Sequence, residues 1–324
     1  MTGPIRALDP KTYERHLIHA QERAWAETNC YVDVLIELLH GLGFEPIAAL
    51  PFTFRIDFEG DQWTFFKFPH VDVLNLYGLD INELNPWRSL VHHVDEQVGL
   101  GRPVLVELDS FFLPDTHGTA YKIAHVKSTV AVNEIDVEAR HMGYFHGQGY
   151  YHLGGDDFDD IFQIGGLVHD RMLPPYIEYV KFVDRPVPEG RELVEASLEC
   201  LRTQLGMLPS ENPFTKFKER FEQDLGWLME EPIDTFHAYS FATLRQYGAC
   251  YELCETYLRW LAREGERDLE APTEAFSKIS ATAKAFQFQL ARAMARKREL
   301  PLDPLDTMGA LWERGLEPLV ERYG

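Results

Sequence analysis

Residues 27–43 read ETNCYVDVLIELLHGLG, and this stretch decides the first half of the fold. From Cys30 onward the run is apolar on almost every side, until two glycines end it. A helix that is hydrophobic all round is a buried helix. Asn29 or Thr28 stands where an N-cap residue belongs. The stretch therefore predicts a buried helix that begins at Cys30.

The residues around this helix predict an α+β domain, and those after it a helical domain. Short β-like runs alternate with short helices up to the segment DRPVPEG at 184–190. Beyond that segment nearly every window has the periodicity of a helix. We therefore expect a first domain at 1–185 and an all-helical second domain at 186–324.

The individual elements follow from hydrophobic periodicity and from turn residues. In the first domain we expect strands at 52–58, 62–68, 103–109, 125–132 and 137–145. We expect helices there at 70–83, 87–99, 156–163 and 173–182. In the second domain we expect helices at 189–206, 213–229, 236–262, 272–299 and 304–322.

The composition is that of a globular protein of 324 residues with a formal charge of −21. Such an acidic excess argues against nonspecific nucleic-acid binding, which needs a basic surface. No window approaches the roughly 18 apolar residues of a membrane span. The first residues lack the apolar core of a secretory signal. The four cysteines include no CxxC pair. We therefore expect a cytoplasmic protein with reduced thiols.

Cys30 is the best candidate for a nucleophile. It stands in the first turn of the predicted helix, where the partial positive charge of the helix N-terminus favours a thiolate. A thiolate needs a base or an imidazolium partner, and His125 is the best candidate for that role. His125 opens a strand on which it shares one face with Lys127 and Thr129, while the valines share the other. A polar face of this kind is what a catalytic strand would present to a cleft.

A third group should orient the imidazole, and two residues qualify. Asp136 follows the His125 strand and offers a carboxylate, which is the usual orienting group. His146 lies where the returning strand ends, and it could serve only by accepting a hydrogen bond while neutral. We prefer Asp136 for this role.

The order of a helix-borne cysteine, a strand-borne histidine and a polar residue from the next strand resembles the papain-like fold. The stretch at 27–43 is similar to the nucleophile helix of the N-terminal domain of the butirosin-biosynthesis acyltransferase family. GRPVLVELDSFFLPDTHGTAYKIAHVKSTVAV at 101–132 is similar to that family's stretch leading to its catalytic histidine. The whole chain, including FEGDQWTFFKFP at 58–69 and RQYGACYELCETYLRWL at 245–261, resembles a bacterial family of unknown function.

This resemblance implies a cysteine-dependent acyltransferase. Butirosin-type enzymes move an aminoacyl group from the phosphopantetheine thioester of a carrier protein onto an amine. Cys30 would take the acyl group and His125 would shuttle the proton, with no bound cofactor implied. From its place at the end of a strand, Asp109 could hold the amino group of an aminoacyl substrate or cap the following turn. Lys127, on the His125 face, could meet a phosphate or carboxylate or be a solvated lysine. A thioesterase, amidase or peptidase-like hydrolase with the same Cys/His site stays open.

The chain departs from papain-like peptidases at the oxyanion hole. Those peptidases carry a glutamine about six residues before the nucleophile, and here that position is Ala24. Asn29 and Gln62 are the candidates for the missing donor. No NSW-type motif follows His125, so we expect a specialised transferase rather than a general peptidase.

A metal-binding protein or a non-catalytic scaffold is the second alternative. Histidines and carboxylates that could bind zinc or iron cluster in the sequence. They are His117, His125, His141, His146, His152, Asp156 and Asp157. Because no HExxH motif occurs and positions 141 and 146 differ in strand parity, we expect no catalytic metal.

Docking of an acidic carrier protein onto this acidic chain would need a basic island. The predicted helix at 272–299 offers one, with Arg292, Arg296, Lys297 and Arg298 at its end. Arg292 and Arg296 are four residues apart and so project from one face. The same cations would favour the helix dipole, so a capping role is the alternative reading.

Overall fold

A computed structural model describes residues 8–164 and 174–324. Residues 1–7 and 165–173, which include the start of the predicted first domain and of the helix predicted at 173–182, lie outside the described residues. The chain forms two compact units. The first contains the described residues up to Gln21, Asn29–Pro46 and Val73–Val187, and the second contains Glu22–Thr28, Ile47–Asp72 and Pro188–Gly324. The N-terminal half of the chain thus contributes two segments to the mainly helical unit, where the sequence predicts one boundary at 185/186.

The first unit begins with a short helix, α1 (Leu17–Ala20), and the long buried helix α2 (Cys30–Gly41). The side chain of Asn29 caps α2, since its Oδ1 accepts a hydrogen bond of 2.9 Å from the backbone N of Val32. Every side chain from Tyr31 to Leu39 is buried. The predicted buried helix that begins at Cys30 is therefore confirmed.

A six-stranded antiparallel sheet forms the centre of this unit, in the order β3-β8-β4-β5-β6-β7. Its strands are β3 (Leu79–Glu83), β4 (Val104–Asp109), β5 (Lys127–Asp136), β6 (His141–His146), β7 (Gly149–Gly154) and β8 (Ile177–Phe182). Helix α2 contacts β5, β6 and β7. The apolar core formed with the sheet includes side chains of α4 (Leu90–Gly99) and α5 (Asp156–Phe162).

Strand β5 shows how the sheet separates its two faces. Ser128 and Val130 alternate with Thr129, and successive side chains of a strand point to opposite faces. Val130 belongs to the core that includes α4 and α5, whereas Thr129 contacts the first residue of α2. The register shifts between Val132 and Glu134, which indicates a β-bulge. One face of β5 therefore packs into the apolar core and the other carries a polar side chain to Cys30, as the sequence predicts.

The second unit consists mainly of helices. They are α6 (Arg191–Leu205), α7 (Pro213–Leu228), α8 (Ile233–Ala242), α9 (Leu244–Arg263), α10 (Glu270–Arg296) and α11 (Asp303–Tyr323). A small hairpin in this unit joins β1 (Phe58–Glu59) to β2 (Gln62–Trp63). The helix α3 (His70–Tyr77) follows it and belongs to the first unit from Val73 onward. The expected single helix at 236–262 is two helices that meet at Thr243. Among the helices of the described residues, none has the length and hydropathy that crossing a membrane requires.

The α+β class, with a sheet in the first part and helices in the second, is confirmed, but several local predictions are wrong. The helix expected at 70–83 ends at Tyr77, and Leu79–Glu83 form strand β3. The strand expected at 62–68 is limited to Gln62–Trp63. The strand expected at 52–58 is mostly a 3-10 segment, Pro46–Arg55. Its prolines lack the N–H groups that a strand ladder needs, and Phe52 and Phe54 bury themselves in aromatic clusters of the second unit. Within the helix expected at 173–182, residues Ile177–Phe182 form strand β8, because they lie between β3 and β4 and both neighbours supply hydrogen-bonding partners.

One charged cluster lies within the otherwise apolar surroundings of α2. Asp33 and Glu37 are one turn apart on α2, and both are buried. His19 of α1 lies between them, with Nδ1 bonded to Glu37 and Nε2 at 3.2 Å from Oδ1 of Asp33. The backbone N of His16 and the hydroxyl of Tyr13 also donate to Glu37. Burial is the largest influence on the pKa of His19 and lowers it, but the two carboxylates together raise it above its ordinary value.

We predict that replacing His19 by Gln lowers the free energy of unfolding by about 3–5 kcal/mol, since it leaves buried carboxylates without their cation. The raised pKa of His19 also gives a pH dependence. Its stabilisation is fully present below the ordinary histidine value of 6.5 and disappears as the pH rises through the raised value. Urea unfolding between pH 6 and pH 9 measures both effects. His117→Gln, at an exposed histidine, is the control. If the unfolding free energy of the His19 variant varied with pH as much as that of the wild-type protein, the assignment would be contradicted.

Candidate active site

Cys30 lies at the N-terminus of α2 and is half-buried, whereas the other three cysteines are buried. Its Sγ lies 3.5 Å from Oγ1 of Thr129, which is on the face of β5 that α2 covers. The Asn29 cap fixes the first turn of the helix. A sulfur atom at this position is held on a rigid element, in the field of a helix N-terminus that favours negative charge.

His125 forms a pair with Asp109. Its Nδ1 lies 2.6 Å from Oδ2 of Asp109, the last residue of β4. The imidazole also stacks on Phe111, with ring centroids 4.4 Å apart and planes within 11° of parallel. The other carboxylate oxygen of Asp109 accepts a 3.0 Å hydrogen bond from the backbone N of Phe111. Asp109 therefore fixes both the ring and its stacking partner, and Nε2 is left as the nitrogen that could exchange a proton with a substrate.

The pair formed by His125 and Asp109 lies on the same side of the sheet as Cys30. In the β4–β5 ladder Asp109 is opposite Lys127, and Glu107 is opposite Thr129. Partners in an antiparallel ladder project to the same face, and Thr129 contacts Cys30. Within the described residues, no hydrogen bond joins the sulfur to the imidazole.

The buried carboxylate of Glu178, on β8, accepts a hydrogen bond from the first turn of α2. The hydroxyl of Tyr31, next to Cys30, donates to Oε2 of Glu178 at 2.9 Å, and the hydroxyl of Tyr176 donates to Oε1 at 2.7 Å. Burial and the negative charge of Glu178 raise the pKa of both phenols, so both stay protonated donors. No sequence signal points to Glu178, because the pattern of its segment predicts a helix and not a central strand.

Neither residue expected to orient His125 contacts it. Asp136 ends β5, and its Oδ1 accepts a hydrogen bond from the backbone N of Ala139 in the following turn. The carboxylate beside His125 is that of Asp109, for which the sequence suggested contact with a substrate amine. Lys127, expected to meet a phosphate or carboxylate, forms an ion pair of 2.6 Å with Glu107.

His146 takes part in a separate network on the opposite face of the sheet. Its Nε2 lies 2.7 Å from Oγ of Ser128, and its Nδ1 lies 2.6 Å from Oδ2 of Asp115. The hydroxyl of Tyr144 donates to the other oxygen of Asp115 at 2.6 Å. Asp115 lies in the segment that joins β4 to β5 and leads to His125. The network thus ties this segment to the sheet, which is a positioning role.

The two expected oxyanion donors have different surroundings. The Oδ1 of Asn29 accepts the capping hydrogen bond, and this residue adjoins Cys30. Gln62 is an exposed residue of β2, in the other compact unit. Ala24, at the place of the peptidase glutamine, donates its backbone N–H to Glu252 within that unit.

The histidines considered as metal ligands separate into different places. His125 and His146 lie in the two networks described above, on opposite faces of the sheet. His141 and His152 come together with Glu134, a residue that the sequence did not single out, and these three groups could hold a metal ion. The two aspartates form ion pairs instead, Asp156 with Arg140 and Asp157 with Lys122.

Comparison with protein families assigns both parts of the chain. The model of the DUF1839 N-terminal domain matches residues 14–182, and the model of the DUF1839 C-terminal domain matches residues 190–321. The chain belongs to the DUF1839 family. A search of curated proteins finds no match. The DUF1839 matches agree with the resemblance to a family of unknown function, and they leave the relationship to the butirosin acyltransferase as a resemblance.

We predict that iodoacetamide modifies Cys30 of this DUF1839 protein at least about tenfold faster than Cys200, because a buried thiol reacts only when the structure opens locally. Burial, together with the neighbouring charge of Asp72, raises the pKa of Cys200 to about 12. Peptide mass spectrometry over a time course measures each rate. In urea, all four cysteines should react at similar rates. If they also react at similar rates in the folded protein, Cys30 is not the accessible thiol.

Proposed function

We propose that this protein is a cysteine-dependent acyltransferase that moves an aminoacyl group from a carrier-protein phosphopantetheine thioester to an acceptor through an acyl-Cys30 intermediate. One observation carries the proposal. A helix-terminal cysteine and a His125–Asp109 pair lie on the same side of the β4–β5 hairpin. This is the set of groups that papain-like chemistry needs, and the resemblance of 27–43 and 101–132 to the butirosin acyltransferase supplies the substrate class.

In the first step the Cys30 thiolate attacks the thioester carbonyl carbon. The bond from carbon to the pantetheine sulfur breaks, the pantetheine thiolate leaves, and protonated His125 gives it a proton from Nε2. The acyl group is then a thioester of Cys30. Backbone N–H groups in the first turn of α2 are the donors closest to the oxyanion that forms during the attack.

In the second step the acceptor amine attacks the acyl-Cys30 carbonyl. His125 accepts the proton that the amine loses, and the Cys30 thiolate leaves. Asp109 holds Nδ1–H in place through both steps and stabilises the imidazolium that forms. The charges balance, because the proton that His125 gives in the first step returns to it in the second.

The step of proton transfer requires His125 to approach the sulfur. His125 precedes β5, and its side chain is 69% exposed. It lies four residues before Thr129, and each pair of strand residues spans about 6.6 Å, so the backbone positions of His125 and Thr129 are about 13 Å apart along the strand direction. The proposal therefore requires the segment that carries His125 to move towards the sulfur, or the substrate to bridge the two side chains. A substrate thioester between Cys30 and His125 would be attacked from one side and receive its proton from the other.

The experiment that tests this proposal is intact-mass analysis after mixing with carrier proteins loaded with different amino acids. We expect a mass increase of one aminoacyl group, absent from Cys30→Ala and retained by Cys254→Ala, which removes a buried thiol. Adding an amine should release the acyl group as an amide. Release of the free amino acid alone would indicate a hydrolase. Turnover without any adduct, unchanged in Cys30→Ala, would overturn the proposal.

We predict that Asp109→Asn lowers kcat by roughly 100- to 10,000-fold with little change in KM. The asparagine oxygen can still accept from the N–H of Phe111, but its amide would donate to Nδ1 and place the imidazole proton on the wrong nitrogen. Asp136→Asn is the matched control, since that carboxylate lies in a turn and should leave the rate unchanged. Equal rates in the two variants would contradict the role of Asp109.

The carrier protein would dock on the basic end of α10. The side chains of Arg292, Arg296, Lys297 and Arg298 are all exposed there. Lys297 already bonds the backbone O of Met229 and so contributes to a local contact. We predict that Arg292→Glu combined with Arg296→Glu raises KM for a carrier-bound substrate and leaves a small thioester unaffected. The surface is elsewhere if both the double variant and added salt leave the carrier-dependent rate unaltered.

A further inference from the structure

Three side chains from neighbouring strands meet near the end of the sheet, on the face that α2 covers. Glu134 of β5 is opposite Gly143 of β6, and Gly143 is opposite His152 of β7. His141 lies two residues before Gly143, on the same side of β6. The register thus brings Glu134, His141 and His152 around Gly143, which has no side chain.

The distances between these groups are those of a site that can close on an ion. The Nε2 of His141 lies 3.8 Å from Oε1 of Glu134, and the Nε2 of His152 lies 3.9 Å from Oε2. One ligand atom from each residue lies within 4.8 Å of the other two. Zinc bonds to nitrogen and oxygen are about 2.0–2.2 Å long, so tetrahedral ligand atoms are roughly 3.3 Å apart. Small side-chain rotations would complete the site.

Gly143 and Tyr150 hold the carboxylate in place. A Cβ atom at position 143 would lie 2.1 Å from the hydroxyl of Tyr150 and 3.1 Å from Oε2 of Glu134. The absence of a side chain here lets the Tyr150 hydroxyl reach Oε2 of Glu134 at 3.4 Å. A hydrogen bond to a ligating carboxylate is the usual support of a metal site.

We infer that Glu134, His141 and His152 form a binding site for a divalent transition-metal ion, of which Zn²⁺ is the representative. Two imidazoles and one carboxylate are ligands that zinc and iron accept. Each of the three side chains is about one third exposed (34% or 35%), so they surround the ion from the protein side and leave further positions to water or another ligand. The site lies at the opposite end of β5 from Thr129 and Cys30, so it does not depend on the proposed acyl transfer.

The test is titration of the full-length Cys30→Ala variant with ZnCl₂ by calorimetry and with CoCl₂ by visible absorption. Removing the accessible thiol prevents it from supplying a ligand. We expect one equivalent to bind and the Tm to rise with metal concentration. His152→Gln or Glu134→Gln in the same background should weaken binding at least about tenfold, while His117→Gln, at an exposed histidine, should not.

His152 is exposed on the edge strand β7, so its substitution should leave the fold intact, and circular dichroism checks this. The cobalt spectrum gives a second measurement that is independent of stability. Binding that is unchanged in both His152→Gln and Glu134→Gln, or no stoichiometric binding by the parent variant, would overturn the inference.

Discussion

The buried helix α2 is the constraint on which the candidate active site depends. Its side chains from Tyr31 to Leu39 are withdrawn from water, and two of them are carboxylates that only a cation and several hydrogen bonds can stabilise there. His19 supplies the cation, because burial lowers its pKa less than its two carboxylate partners raise it. The cluster joins α1 to α2, and the hydrogen bond from Tyr31 to Glu178 of β8 fixes the first turn of α2 on the sheet. Cys30 lies on that turn.

The alternation of side chains along the strands places the polar groups of the site on the same face of the sheet as the Cys30 sulfur. One face of β5 buries Ser128 and Val130, and the other carries Thr129 towards Cys30. The antiparallel ladder places Asp109 of β4 on the same side, and Asp109 in turn holds His125. Ser128 is used on the far face, where His146 and Asp115 tie down the segment that leads to His125. Contacts on both faces of β5 thus help to position His125.

The sequence indicated those features that local pattern determines, and it failed where strand partners decide. The cap, the first residue of α2 and the two faces of the His125 strand follow from periodicity and from helix-start residues. The partner of His125 does not, because Asp109 is sixteen positions away and meets it only through the β4–β5 register. Asp136, nearer in sequence, belongs to the wrong end of the strand. Glu178 and Glu134 were missed for the same reason, since one lies in an unpredicted central strand and the other follows a bulge.

The account's central claim is that acyl groups pass through Cys30, and a pre-steady-state measurement of thiol release tests it most directly. With a saturating aminoacyl thioester and a limiting amine acceptor, an acyl-enzyme pathway releases thiol in a burst equal to the concentration of active protein, followed by a slower steady rate. We expect this burst in the wild-type protein, a slower burst in His125→Ala and none in Cys30→Ala. Linear release from time zero in the wild-type protein, at a rate that Cys30→Ala retains, would contradict the account.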